Sequence, residues 1–201
     1  MAFSQMKYKL SVNSFFIMVM LILGCDNSSA QLDSKSSNKK SLIVENKKSD
    51  KGDDNLILAP NFTLANLSGD LVSLDDLKGK VILLNFWGTW CGPCRIEIPD
   101  FIKLMNKHKD NGLEIVGITL TSGSPDRISS FASQWGINYT LLTDIEGNET
   151  QTVTALYGKA TGRQIRGIPT TFLIDRDGFI RQSYIGPRSE QVFYKDIQPH
   201  L

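Results

Sequence analysis

Cysteine and histidine are scarce in this chain, and that scarcity narrows what it can do. Its 201 residues include three cysteines and two histidines. Cys91 and Cys94 lie one helical turn apart and Cys25 stands far upstream, so no disulfide framework staples the fold. A structural zinc site takes four protein ligands as a rule, and neither His108 nor His200 is at ligand spacing from the pair, so no metal is expected. A surplus of either charge is missing too. The formal net charge of +1 gives no electrostatic footing for nucleic acid as a partner. No internal repeat is visible, and the longest apolar run, Phe15 to Leu23, is too short to read as a membrane span. Apolar residues make up 41% of the chain, enough for a real core in one ordinary domain plus an extra segment.

The most informative stretch is Trp90-Cys91-Gly92-Pro93-Cys94. The run before it, Val81 to Phe86, is short and apolar, as a buried strand should be. After it, Arg95 to Met105 carries apolar residues at helical spacing. A Cys-x-x-Cys where a strand hands over to a helix leaves the first sulfur at the helix N-terminus. There, unpaired N–H groups and the helix dipole favour a thiolate. Thiolates attack disulfides, and a second cysteine within reach resolves the mixed disulfide that forms. Cys91 is therefore the expected nucleophile, at the exposed start of the helix, and Cys94 the buried resolving thiol. The alternatives at this stage are a fixed disulfide or half of a zinc site.

The N-terminus reads as a targeting segment. Lys7 and Lys9 form a positive region ahead of the apolar run, which closes in Leu21-Ile22-Leu23-Gly24-Cys25. That ending resembles a bacterial lipobox, which implies a signal peptide over residues 1–24 and a lipid on Cys25. An ordinary signal peptide with a stray cysteine and an uncleaved anchor are the alternatives, and both also place the domain outside the cytoplasm. Asp26 resembles the signal that retains lipoproteins in the inner membrane of Gram-negative bacteria. Residues 25–55 are rich in Ser, Lys, Asn and Asp and cannot bury enough surface to offset their ordering entropy, so a disordered tether is expected. About thirty such residues reach several nanometres as a flexible coil.

Residues 56–201 alternate between strand and helix patterns. Phe62 to Leu64 and Leu71 to Ser73 read as short strands around a Ser68-Gly69-Asp70 turn. Val81 to Phe86 is the central strand, followed by a helix from Cys91 to about His108 that Pro99 should kink. A strand over Leu113 to Leu120 precedes a helix from Ser124-Pro125 to Trp135, with Ser124 as N-cap and Trp135 as core. Tyr139 to Thr143 is a strand and Thr150 to Tyr157 a helix. Thr170 to Asp175 and Phe179 to Tyr184 form a hairpin, and Ser189 to His200 closes the chain as a helix. This order predicts an α/β fold with helices on both faces of the sheet.

Trp90 to Cys94 matches the thioredoxin active-site pentapeptide, and Gly167-Ile168-Pro169-Thr170-Thr171-Phe172-Leu173-Ile174-Asp175 is similar to the segment that carries that fold's cis-proline. Ala59-Pro60-Asn61-Phe62-Thr63-Leu64, Leu77-Lys78-Gly79-Lys80 and Asn85-Phe86-Trp87-Gly88-Thr89-Trp90 resemble the membrane-tethered TlpA/ResA-like thiol–disulfide oxidoreductases. The resemblance spans about residues 58 to 200. It implies a thioredoxin fold: a central mixed sheet flanked by helices, extra N-terminal strands and an inserted βα unit. It also implies that Pro169 is cis against the dithiol and that the Ile168 backbone holds a substrate chain as an added strand, with Trp90, Gly92 and Pro93 lining the site. A trans proline at a strand start is the competing reading. Cytosolic thioredoxin has a titrating Asp where this chain has Asn85, and relatives of this branch carry a Glu at the position of Glu97. Glu97 is then the proton acceptor for Cys94, against the plain alternative of a solvated surface Glu. Of the tryptophans Trp87 and Trp90, one should pack beneath the site and the other cap it. The loop Lys159 to Arg166 is longer than the family often has and carries three cations; it could shape partner choice or simply be solvated.

The resemblance implies reduction of protein disulfides outside the cytoplasm, without a cofactor; strongly oxidising relatives carry a His or an acidic residue between the cysteines, and this chain has Gly92-Pro93 there. Apocytochrome c would be a substrate, and a membrane thiol reductase of DsbD type the electron donor. A peroxidase of peroxiredoxin-like type is the second reading. That chemistry needs Thr-x-x-Cys, whereas Thr89 and Cys91 are separated by a single residue. A non-catalytic binding module is the third, and an intact Cys91, Cys94 and Pro169 argue against it.

Overall fold

Val81 to Trp87 is buried along its whole length, and the rest of the domain is arranged around that strand. A computed structural model describes residues 56–201. The expected signal peptide, Cys25 and the tether lie outside the described residues. Along the chain come β1 (Ile57–Leu58), β2 (Thr63–Asn66), β3 (Leu71–Ser73), a 3-10 turn, β4 (Val81–Trp87) and α1 (Gly92–His108). They are followed by β5 (Leu113–Thr119), α2 (Pro125–Trp135), β6 (Thr140–Thr143), α3 (Glu149–Ala160), β7 (Thr170–Ile174), β8 (Phe179–Ile185) and α4 (Glu190–Ile197).

The strands form one mixed sheet in the order β1-β8-β7-β4-β5-β6-β2-β3. β4 runs parallel to β5 and antiparallel to β7, so the central strand joins a parallel half to a hairpin half. Successive residues of a strand face opposite sides, and the core divides accordingly. Ile82, Leu84, Phe86 and Phe172 pack with Tyr157 of α3, with Leu64 of β2 and with Phe62 just before it. Val81, Leu83 and Leu173 face the other way, onto Phe101 and Leu104 of α1 and Phe193 of α4. Trp87, Cys94 and Ile98 join Ile128 of α2 on that same side. Three helices thus cover one face of the sheet and α3 the other, as the alternation of patterns predicts.

The differences from the sequence expectations are local. β1 has two residues, held by pairing Ile57 with Ile180 and Leu58 with Phe179, and leaves no periodic pattern to read. Ser73 and Asp76 make a reciprocal capping box on the 3-10 turn Leu74–Leu77, an element additional to the expected ones. α3 continues to Ala160, so the first two residues of the expected Lys159 to Arg166 loop are helical. Ser124 stands at the N-cap of α2 but its side chain makes no capping hydrogen bond. Trp135 is half-buried rather than core, and its ring stacks on Phe131 at 5.4 Å. Pro99 lies inside α1 without ending it.

One side chain closes the end of the sheet away from the Cys-x-x-Cys. The Arg176 guanidinium donates to the carbonyls of Gly79 at 2.7 Å, Asn111 at 2.9 Å and His200 at 3.1 Å. Gly79 and Asn111 precede β4 and β5, and His200 lies near the chain's last residue. Three carbonyls at chain turns are therefore satisfied by one planar, five-donor group.

Candidate active site

Cys91 and Cys94 are joined as a disulfide, with Cα atoms 5.3 Å apart. Cys91 is the N-cap of α1 and its Sγ accepts the backbone N–H of Cys94 at 3.2 Å, the place where a capping oxygen would sit. A Cys91 thiolate kept at this cap position on reduction would gain that hydrogen bond and the positive end of the helix dipole. Burial corrects one expectation. Cys91 is not exposed: it retains 4% of its accessible surface and Cys94 1%, and both belong to the cluster with Trp87 and Ile98. The closed disulfide packs inward against that cluster, and Gly92 and Pro93 carry the exposed surface of the turn.

Glu97 is three residues beyond Cys94, on the same helix face, and it is buried with 1% of its surface accessible. It is no solvated surface residue. Its Oε1 accepts the Asn85 Nδ2–H at 2.8 Å, and the same Nδ2 donates to Thr171 Oγ1 at 2.9 Å. Oε2 is buried with no hydrogen-bond partner among the described residues. A carboxylate held by one hydrogen bond in an apolar setting is poorly compensated for lost water. Burial pushes the Glu97 pKa up to about 8. The backbone N–H and the positive charge of Arg188, together with the Asn85 amide, pull it down without cancelling that rise, and Asp100 adds to it. The Arg188 amide closes no hydrogen bond to either oxygen in this geometry. Tyr139 is raised in turn, by burial first and then by the Glu97 charge.

The Ile168–Pro169 peptide bond is cis, as the resemblance implied. It brings the Ile168 carbonyl oxygen to 3.7 Å from Cys91 Sγ. The Pro169 carbonyl accepts the Gly186 N–H and the Gly167 carbonyl accepts the Thr170 hydroxyl, both at 2.8 Å, so the turn is fixed from both sides. The Ile168 N–H makes no hydrogen bond among the described residues. Trp87 lies buried in the cluster that holds the dithiol, whereas Trp90 keeps 59% of its surface accessible.

Sequence reasoning missed the residues that hold these in place. Asn85 cannot titrate, yet its amide bridges Glu97 and Thr171, the latter 86 residues further along the chain than Asn85 itself. Ser122 accepts the Thr89 N–H at 2.9 Å, and Arg95 donates to the Thr89 carbonyl at 2.8 Å while lying over the Phe131 ring. Gly88 lets the Trp90 indole fold against the backbone, since a Cβ there would sit 2.9 Å from its Nε1. The available signals were positional: Asn85 is six residues before Cys91, and Thr171 two after Pro169. His108 and His200 lie elsewhere, and no group of three or more His, Cys, Asp or Glu that could hold a metal occurs among the described residues.

A redox disulfide capping a helix, packed against a cis-proline at the end of a mixed sheet, defines a thiol–disulfide oxidoreductase with a thioredoxin-like fold. The chain belongs to the AhpC/TSA family, whose profile matches residues 58–183. It is similar to Thiol-disulfide oxidoreductase ResA of Bacillus thuringiensis (strain Al Hakam), with 37% identity over 145 residues, 70% of this chain and 77% of that one. Thioredoxin-like protein YneN of Bacillus subtilis (strain 168) is 36% identical over 135 residues, 66% of this chain and 72% of that one. Among solved structures, the thiol:disulfide interchange protein of Chlorobium tepidum TLS, a thioredoxin family protein, superposes with a TM-score of 0.64 at 31% identity. It covers 74% of this chain and 98% of that one.

Proposed function

We propose that this oxidoreductase works as a reductant of disulfides in other polypeptides, outside the cytoplasm. The observation that carries this reading is the pairing of an uncharged Gly92-Pro93 turn with a buried carboxylate, Glu97, on the face of α1 that holds Cys94. The Cys91 thiolate attacks a substrate disulfide, forming a mixed disulfide and releasing one substrate thiolate. Cys94 passes its proton to Glu97 and attacks Cys91 Sγ, which closes the Cys91–Cys94 disulfide and releases the second substrate sulfur. During this exchange Ile168 and Pro169 hold the substrate chain, with Trp90, Gly92 and Pro93 as the contact surface around it. Two electrons then return from a membrane thiol reductase of DsbD type.

The Gly24-Cys25 end of the leader supports lipid anchoring at Cys25, with the domain facing the periplasm or an equivalent extracytoplasmic space. Apocytochrome c is the substrate this reading favours, as part of cytochrome c maturation. The reduction potential of the purified protein tests the direction. The expected midpoint lies nearer about −270 mV, where a reducing dithiol of this fold sits, than about −120 mV, where a strong oxidant sits. A value at the upper end would make the protein an oxidant and overturn the proposal.

A further inference from the structure

A cavity of about 480 Å³ opens beside the cis-proline, on the face of the sheet opposite α1. Its walls are the loop 161–167, Thr170 and Phe172 of β7, and Ser183 and Ile185 of β8. Thr170 and Phe172 face the α3 side, where Phe172 meets Tyr157 at 5.2 Å, whereas Thr171 faces Asn85 and the Glu97 network. The cavity is therefore separated by the sheet from the groups that handle the proton. It is nonetheless continuous with the dithiol through one turn of chain, because Gly167 lines it and the next residue, Ile168, touches Cys91 Sγ.

The chemistry of the walls is one-sided. Arg163, Arg166, Gln164 and Ser183 supply donors, and no carboxylate lines the cavity. Both arginines are exposed. Arg166 reaches the Gln164 side chain at 3.5 Å, and Arg163 has no side-chain partner among the described residues. Beyond Ile180, the outer edge of β8 carries no paired strand among the described residues, and Ile185 keeps 58% of its surface accessible. An extended chain paired with the Ile168 backbone would pass Gly167, which borders the cavity that the two arginines also line.

We propose that this cavity is the subsite for an acidic stretch of the polypeptide whose disulfide is being exchanged, with Arg163 and Arg166 pairing its carboxylates. The inference rests on the exchange reaction proposed above. At about 3.3 Å per residue of extended chain, a carboxylate about two to five residues from the attacked cysteine lies about 7–17 Å from it, the reach this subsite requires. The preference would sort substrates by the sequence flanking their cysteines.

The test uses the reduced full-length protein and synthetic peptides that contain one internal disulfide. They differ in three flanking residues, which are Glu, Ser or Lys, placed on either side of the disulfide in separate peptides. Second-order oxidation rates should favour the Glu peptide over the Ser peptide by about fivefold on one of the two sides, with the Lys peptide slowest. That ratio should fall toward one in 0.5 M salt, where the Debye length is a few ångströms, and in the double variant Arg163→Gln, Arg166→Gln. Oxidation by all six peptides at equal rates overturns the subsite while leaving the exchange reaction standing. An acidic preference that survives the double variant also overturns it, because the charge would then be read elsewhere. No reaction with any peptide removes both the subsite and the function on which it rests.

Discussion

Glu97 ionises in a setting that disfavours charge, and two measurements read this out. With a pKa pushed up to about 8, it accepts the Cys94 proton more readily as pH rises through that value. Glu97→Gln keeps the shape and the Asn85 contact but cannot titrate. Its resolution step should be slower, and the rise of its rate between pH 6 and 9 should flatten; a profile that overlays the wild type would return Glu97 to a structural role. The second measurement is stability. In the unfolded chain Glu97 titrates near 4.5, so between there and about 8 the folded state holds a proton that the unfolded state has lost. Stability from this group is full below the lower value and declines as pH rises to the upper one, by at most about 5 kcal/mol. Urea unfolding at pH 5 and 8.5 should show that decline in the wild type and a smaller one in Glu97→Gln. The cysteines divide their roles by position rather than exposure, since both are buried. In Cys94→Ser, mixed disulfides with substrate should accumulate through Cys91; in Cys91→Ser trapping should be much weaker, because Cys94 Sγ has neither the cap position nor the Ile168 contact. Equal trapping by both variants would reverse the assignment.

Gly117, midway along β5, shows how tightly the elements beneath the dithiol are fitted. A Cβ there would lie 2.8 Å from both Leu141 Cδ2 and Trp87 Nε1, inside the buried cluster under the disulfide. Gly117→Ala should cost about 1–3 kcal/mol by overpacking and shift the Trp87 fluorescence, whereas relief by repacking would leave the unfolding midpoint unchanged. At this scale much was legible from sequence. The buried run of β4, the periodic α1 and the β7–β8 hairpin each have a pattern that depends on their own residues. β1 does not, because two residues become a strand only when β8 is beside them. Sheet order is likewise a matter of packing: nothing in Thr140 to Thr143 says that β2 will pair against it. The site follows the same rule. The Cys-x-x-Cys and the Ile168–Pro169 turn are local and could be read, while the Asn85–Thr171 bond exists only because β4 and β7 are neighbours in the sheet. The burial of Glu97 came from resemblance, since its helix face alone gives no sign of it.

For the molecule as a whole, placement turns on Cys25. If Gly24-Cys25 is a lipidation signal, metabolic labelling with a fatty acid should tag the wild type and spare Cys25→Ala, with the protein shifting from membrane to soluble fraction. Equal labelling of both, or of neither, would remove the anchor from the proposal. The folded domain itself has a polarity that bears on how it can be held. β4 has seven residues, about 20 Å of extended chain, with Cys91 beyond one end and the Arg176 staple at the other. Ile57 pairs with Ile180, a residue away from the start of β8 at that stapled end, and the His200 carbonyl is fastened there as well. The domain therefore has a base and a tip. A dye, resin or fusion partner joined ahead of Leu56 or after Leu201 grips it by the base, and the sulfurs at the tip stay clear of the handle.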